Sequence, residues 1–433
     1  MTRTPSVGAR VQSGPVLPDR SVAESEARVQ VFPVRVAPRS GATKPRSNRG
    51  RGPIFIKPWV PFEVGVLHKQ NIVVRDWEGY DGFNHLFVRI RHPERHDPTR
   101  PELVLIPGIL CNGNLFRLSW AGRSFKDLNH PTSLANALAF AGYSVVLIHP
   151  RDSKWIYTRY VNDVLGVPNS FSDDFSIQDA VDDIRFCLDT VMQVRAEEGA
   201  PERAVVIGFS LGGIKILDML GTRPLHPSIV GLAFLSTPVE FESNGEKLIP
   251  LVRIYAQAAR FMPVEHYGAL NVIDRNVIVV KKLARRLLGD TSPRLAGHVL
   301  RRVPLISDVF HVTRPDFDMG VLLPLVSYVF EPVSERIMNE LLYAVRKGRL
   351  VKEGATDDCL DLLPPHIPPW VVIRGEEDRI VTPRSHEMLD QALTRRQRKG
   401  YATLLAGLGH DDLAVSRTVT RELLYFLDSL ASA

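Results

Sequence analysis

Residues Ala204-Val205-Val206-Ile207-Gly208-Phe209-Ser210-Leu211-Gly212-Gly213 decide how the chain is read. Small and β-branched apolar residues run into Gly208-Phe209-Ser210-Leu211-Gly212, a G-x-S-x-G pattern. An apolar run without alternation predicts a strand buried on both faces. The serine between two glycines predicts a very sharp turn from that strand into a helix. Such a turn strains the serine backbone and holds its hydroxyl clear of the sheet. Residues two before and two after must lack bulk for the turn to close, and both are Gly. The helix that starts there points free N–H groups at the space beside Ser210.

Outward from this stretch the same alternation recurs. Glu102–Gly108, Tyr143–Ile148, Ile229–Leu235, Trp370–Ile373 and Tyr401–Leu405 read as strands. Between them, Ser133–Ala141, a helix from Ser176 to about Arg195, Ile214–Leu220, Ser385–Leu393 and Ala414–Leu430 read as helices. Ser176-Ile177-Gln178-Asp179 is a capping-box-like start. Ile177, Val181, Ile184, Leu188, Val191 and Val194 then recur at helical steps, which predicts one face on the sheet. Alternating strands and helices predict an α/β fold with a doubly wound, mostly parallel sheet. Earlier, Phe62–His68, Ile72–Trp77 and Leu86–Arg91 predict an antiparallel entry to it. From 239 to about 365 the pattern turns helical, which reads as an insertion over the end of the sheet.

Of 433 residues, 44% are apolar and 24% charged, as in an ordinary globular protein. The net charge of +6 is unevenly placed. Residues 1–52 hold ten Lys/Arg against Asp19, Glu24 and Glu26, so the remainder is close to neutral. That remainder is not expected to bind nucleic acid. Residues 1–52, rich in Arg, Pro, Ser and Gly, are expected to be a disordered basic arm. Cys111, Cys187 and Cys359 are too few for a disulfide framework and fit no zinc spacing. No apolar run spans a membrane and no secretory leader is evident, so a cytoplasmic location is expected.

A serine hydroxyl needs a base, a carboxylate to orient that base, and donors for the oxyanion. In an open α/β sheet these groups sit at the carboxyl ends of strands. His410, in Gly407-Leu408-Gly409-His410, follows the last strand and is the candidate base. Asp378 is the candidate acid, although Glu376 and Glu377 share its loop. The oxyanion donors would be the backbone N–H groups of Leu211 and, after Pro107-Gly108, Ile109. Cys111 lies near the same place, but no elbow presents its sulfur.

The order Ser210, Asp378, His410, with the Gly208–Gly212 turn, the Gly375–Asp378 loop and the His410 loop, resembles the alpha/beta hydrolase family over about residues 60–431. The entry strands, the Pro107-Gly108-Ile109-Leu110 turn and the long insert look most like lipase, esterase and serine-aminopeptidase members. Pro107-Gly108 departs from the His-Gly of many members. A second resemblance is to polyhydroxyalkanoate synthases, which carry Cys where Ser210 stands. The family likeness implies an α/β-hydrolase core at 53–238 and 366–433, interrupted by a helical cap at 239–365. It implies a serine hydrolase of carboxylic esters with an apolar acyl or alcohol part, using no cofactor and no metal. The alternatives are an acyltransferase with the same triad and a non-catalytic lipid- or protein-binding member.

The expected partner is therefore a small-molecule or lipid ester. Leu251, Ile254, Tyr255, Phe261, Met262 and Met319–Val326 in the insert would pack on the sheet or line an apolar pocket. Tyr157 and Tyr160 would border the site. Lys281, Lys282, Arg285, Arg286, Arg301 and Arg302 form a solvated face or a peripheral membrane contact.

Overall fold

A computed structural model describes residues 54–56, 69–76, 84–92, 94–118, 133–153, 174–241, 329, 331, 333–351, 357–378, 380–397 and 399–431. The basic arm, Phe62–His68, Tyr157, Tyr160, most of the insert and its basic cluster lie outside the described residues.

Nine strands form one sheet: β1 (Ile54–Ile56), β2 (Lys69–Asp76), β3 (Asn84–Arg91), β4 (Glu102–Ile106), β5 (Ser144–His149), β6 (Ala204–Phe209), β7 (Ile229–Leu235), β8 (Trp370–Gly375) and β9 (Gly400–Leu405). Their spatial order is β1-β2-β3-β5-β4-β6-β7-β8-β9. β1, β2 and β3 pair antiparallel, and β3 joins β5 antiparallel. From β5 through β9 every pairing is parallel. The expected antiparallel entry and parallel body are both present.

β4, β5 and β6 are buried at every position, which is why they lack alternation. Their residues alternate between two cores. Leu103, Leu105, Val145, Leu147, Val205 and Ile207 pack on the side of α1 (Leu134–Phe140) and α7 (Arg417–Ala431). Val104, Ile106, Val146, Ile148 and Val206 pack on the side of α2 (Ile177–Glu197) and α3 (Leu211–Thr222). Full burial of each such side chain contributes about 1.5–3 kcal/mol. The capping box at the start of α2 is formed: Asp179 N–H donates to Ser176 Oγ at 3.0 Å, and Ser176 N–H to Asp179 Oδ2 at 2.8 Å.

Three remaining helices complete the described body: α4 (Glu335–Lys347), α5 (Pro383–Thr394) and α6 (Asp412–Val415). The single helix expected over Ala414–Leu430 is two. α6 ends at Ser416, whose extended backbone (ψ 134°) breaks it. Ser416 Oγ then accepts the Thr418 N–H at 3.1 Å, as an N-cap does for α7.

Within the stretch 239–365, residues 240–241 meet residues 348–349. Phe241 N–H donates to Gly348 O at 3.0 Å, and Glu240 bridges Arg349. Val239 N–H is held by Ser385 Oγ at 2.7 Å, which ties this base to α5. Among the described residues no helix is long and apolar enough to cross a membrane.

Candidate active site

Ser210 follows β6 and opens α3 with φ 53° and ψ −119°. A side chain in that region is strained by about 1–3 kcal/mol. The strain is held by packing on all sides. A Cβ on Gly208 would lie 2.6 Å from the Gly212 carbonyl carbon, and one on Gly212 only 2.2 Å from Ile106 O. Ser210 N–H donates to Leu235 O at 2.8 Å, which pins the turn to β7. Two other non-glycine residues with positive φ end neighbouring strands: Leu110 after β4 (59°) and Ser236 after β7 (43°). Backbone strain among the described residues is thus gathered at the carboxyl edge.

A buried arginine sets which carboxylate of the Gly375–Asp378 loop turns inward. Arg374, at the end of β8, donates from Nε to Val381 O at 2.7 Å and from Nη2 to Asp378 O at 3.0 Å. This ties both limbs of the loop together. Glu376 and Glu377 are left exposed, while Asp378 is 5% exposed. Asp378 Oδ1 accepts the Ile380 and Val381 N–H groups at 2.8 and 2.9 Å. Its Oδ2 faces His410 Nδ1 at 2.9 Å. Gly375 lets the two loops meet, since a Cβ there would lie 2.1 Å from Leu408 O.

The electrostatics agree with an ion-stabilising pair. Burial pushes the His410 imidazole down, but the charge and hydrogen bond of Asp378, with a push from Asp411, outweigh it and leave the pKa above the ordinary 6.5. Burial pushes Asp378 up, but His410, the Ser236 hydroxyl and the Val381 amide hold it below the usual carboxylate range. The His410 ring lies against Phe209, the residue before Ser210, with centroids 5.0 Å apart. Among the described residues no hydrogen bond joins Ser210 to His410. Unliganded sites commonly leave that contact long.

The loop after β4 presses on the turn. A Cβ on Gly108 would meet Phe209 Cδ1 and Ser210 Cβ, each at 3.1 Å. Ile109 and Leu211, the residue after Ser210, share a small cavity lined also by Cys111, Asp152, Ser153, Lys215 and Glu331. Asn112 Nδ2 donates to Glu331 Oε1 at 2.7 Å, and Asn112 N–H to Val329 O at 3.1 Å. These bonds brace the loop that follows Pro107-Gly108. Burial, with the charges of Asp411 and Glu331, pushes the Cys111 thiol well up, so it is not poised as a nucleophile. None of the three cysteines is in a disulfide, and all are buried.

Sequence reasoning did not single out Arg374, Asp152, Ser153, Lys215 or Asp411. Asp411 is buried beside His410 and is pushed up to about 7 by burial and by the charges of Asp412 and Asp378, against the pull of His410. Its adjacency to His410 in the sequence was the available signal.

The architecture and the edge cluster define an α/β protein built around a strand-turn-helix serine. The sequence matches the model of the alpha/beta hydrolase family over residues 103–419, and the chain belongs to that family. No curated protein matches it. Similar solved structures include a carboxylesterase of Nitrososphaera gargenis, at 15% identity and TM-score 0.48, covering 83% of this chain and 99% of that one. An esterase from Exiguobacterium antarcticum is 14% identical at TM-score 0.45, covering 81% and 97%. An alpha/beta hydrolase from Novosphingobium aromaticivorans is 18% identical at TM-score 0.45, covering 83% and 98%.

Proposed function

We propose that the protein is a serine hydrolase of carboxylic esters, with Ser210 as nucleophile, His410 as base and Asp378 as its orienting acid. The observation that carries this reading is the buried 2.9 Å contact of His410 Nδ1 with Asp378 Oδ2 at the edge that presents strained Ser210. His410 Nε2 takes the Ser210 proton as Oγ attacks the ester carbonyl. The developing oxyanion is held by the N–H groups of Leu211 and Ile109. Leu211 is suited to this because it is the first residue of α3, where no intrahelical acceptor exists for its N–H. Asp378 holds the imidazole by Nδ1 and stabilises the imidazolium. His410 then protonates the leaving alcohol, and water attacking by the same route frees the acyl group.

The substrate class is a carboxylic ester with an apolar acyl or alcohol part. The apolar residues that the sequence places in the insert support it. The chemistry asks no metal or organic cofactor of these residues.

A fluorophosphonate probe will label the wild type and not Ser210→Ala. Turnover of para-nitrophenyl esters will fall by at least ~10⁴-fold in that variant. Equal labelling of the two proteins would sink the assignment of Ser210.

A further inference from the structure

The cavity lined by Ile109 and Leu211, whose N–H groups are the proposed oxyanion donors, is about 10 Å³, room for one water-sized group. Polar groups with spare hydrogen-bonding capacity converge on it from separate segments. Ser153 is 1% exposed, and its Oγ has no hydrogen-bond partner among the described residues. Lys215 is 2% exposed, and no hydrogen bond joins it to another described residue. It stands one turn beyond Leu211 in α3, and helix geometry leans its side chain back toward Leu211. That places an ammonium at the positive end of a helix dipole, an unfavourable position unless something answers it. Asp152, in the loop after β5, supplies an opposing charge. Its Oδ2 accepts the Ser334 N–H only at 3.4 Å.

We propose that this cavity is a subsite for the acyl group, and that it takes a hydroxyl carried on the first or second carbon beyond the ester carbonyl. This rests on the reading of Ser210 as nucleophile, because the carbonyl oxygen then lies at the cavity's rim between Ile109 and Leu211. Complementarity selects the group. A hydroxyl donates once and accepts twice. It gives its proton to Asp152 and receives Lys215 and Ser153. A carboxylate would add negative charge beside Asp152 and Glu331. An ammonium would sit against Lys215. A methyl group would leave Asp152, Lys215 and Ser153 unmatched, which is how a site built for a hydroxyl rejects an analogue lacking it.

Binding of methyl 2-hydroxybutanoate, methyl 3-hydroxybutanoate and methyl butanoate is measured by calorimetry on Ser210→Ala, which cannot turn them over. At least one hydroxy ester will bind tenfold or more tighter than methyl butanoate. That preference will fall below threefold when Lys215→Met or Ser153→Ala is added. Ser153→Ala deletes a single atom, so it reports even where Lys215→Met fails to fold. Equal affinity for the three esters, no measurable binding of any included, overturns the subsite; so does a preference that survives the change. Turnover of the same esters by the wild type separates the two readings. Hydrolysis without preference removes only the subsite, and preference without hydrolysis removes only the hydrolase.

Discussion

Strand β4 has a buried polar cluster at each end, and the two are built differently. At its start Glu102, fully buried, accepts Arg89 Nε and Nη2 at 2.8 Å each and Arg195 Nη1 at 3.0 Å, with Ser144 Oγ as a further donor. Arg195 also donates from Nε and Nη2 to the carbonyls of Pro201, Pro98 and Arg100 at 2.7–3.0 Å. Arg89 and Arg91 share Glu198. Beyond the strand's other end, Asp411 Oδ2 and Ser153 Oγ are buried without hydrogen-bond partners among the described residues, and Lys215 has a counter-charge but no hydrogen bond to a described residue. A satisfied network fixes where β3, β4, β5 and α2 meet. Unsatisfied groups lower stability, and two of these, Ser153 and Lys215, line the cavity proposed above to receive a substrate hydroxyl.

The largest expected effect breaks the working end. Asp378→Asn keeps the shape of the acid but changes what it offers to His410 Nδ1. The imidazole is then presented in the wrong tautomer, and turnover is expected to fall by about 10⁴-fold. Steady-state kinetics with a chromogenic ester checks this, with circular dichroism to show the fold intact. Glu377→Gln, on the exposed acid of the same loop, will leave turnover within about twofold, as expected for a surface change. The reverse pattern would move the acid to Glu377.

The expected result follows from geometry that local sequence does not carry. The strand-turn-helix serine was legible because its constraints are local: small residues where Gly208 and Gly212 must pass Gly213 and Ile106. His410 was legible from its place after the last strand. Asp378 was legible as one of three acids in a loop. Its place at the far end of that loop made it the candidate, but the hold of Arg374 on the same loop was not legible. Lys215 and Asp152 were not legible at all. A lysine in a helix reads as solvated, and only the crossing of α3 with the loops after β4 and β5 buries this one. Glu102 was hidden in the same way, since a charge opening an apolar run reads as a strand end. The arginines that hold it come from β3 and α2. The break at Ser416 carries no Gly or Pro, and its only signal is a serine able to cap.

The structural end gives the next largest effect. Glu102→Gln leaves Arg89 and Arg195 short of a charge they were folded around. Breaking a buried pair from one side is worth about 3–5 kcal/mol. Linkage gives the same scale. Glu102 is held at about 2 against an ordinary 4.5 because the charge and hydrogen bonds of Arg89, with Ser144, overcome the effect of burial. That difference corresponds to about 3 kcal/mol. Because the folded pKa is depressed, this stability is present above 4.5 and is lost as the pH falls toward 2. Urea titrations at pH 7 will show the loss, and the gap to wild type will narrow as the pH is lowered through about 4. Turnover per folded molecule will be unchanged. A variant that keeps its stability but loses turnover would erase the distinction between the two ends.

The smallest effect on turnover concerns Asp411, which touches both stability and chemistry. Its pKa is raised to about 7, so the folded protein holds a proton that the unfolded chain releases near 4. The sign is opposite to that of Glu102: its contribution is present below about 4 and lost as the pH rises to 7. Asp411→Asn will therefore be more stable than wild type at pH 8, with a difference that fades toward pH 4. His410 has the raised pKa of a base that works when deprotonated, so turnover rises with pH through a midpoint above 6.5. Ionised Asp411 adds to that raising, beside the stronger contribution of Asp378. Its removal will move the rising limb to lower pH, by less than about one unit because Asp411 is itself only part-ionised there. A limb that stays in place while stability rises would make Asp411 a strained neighbour of the site and nothing more. A limb that moves down makes its lost stability part of how His410 is set.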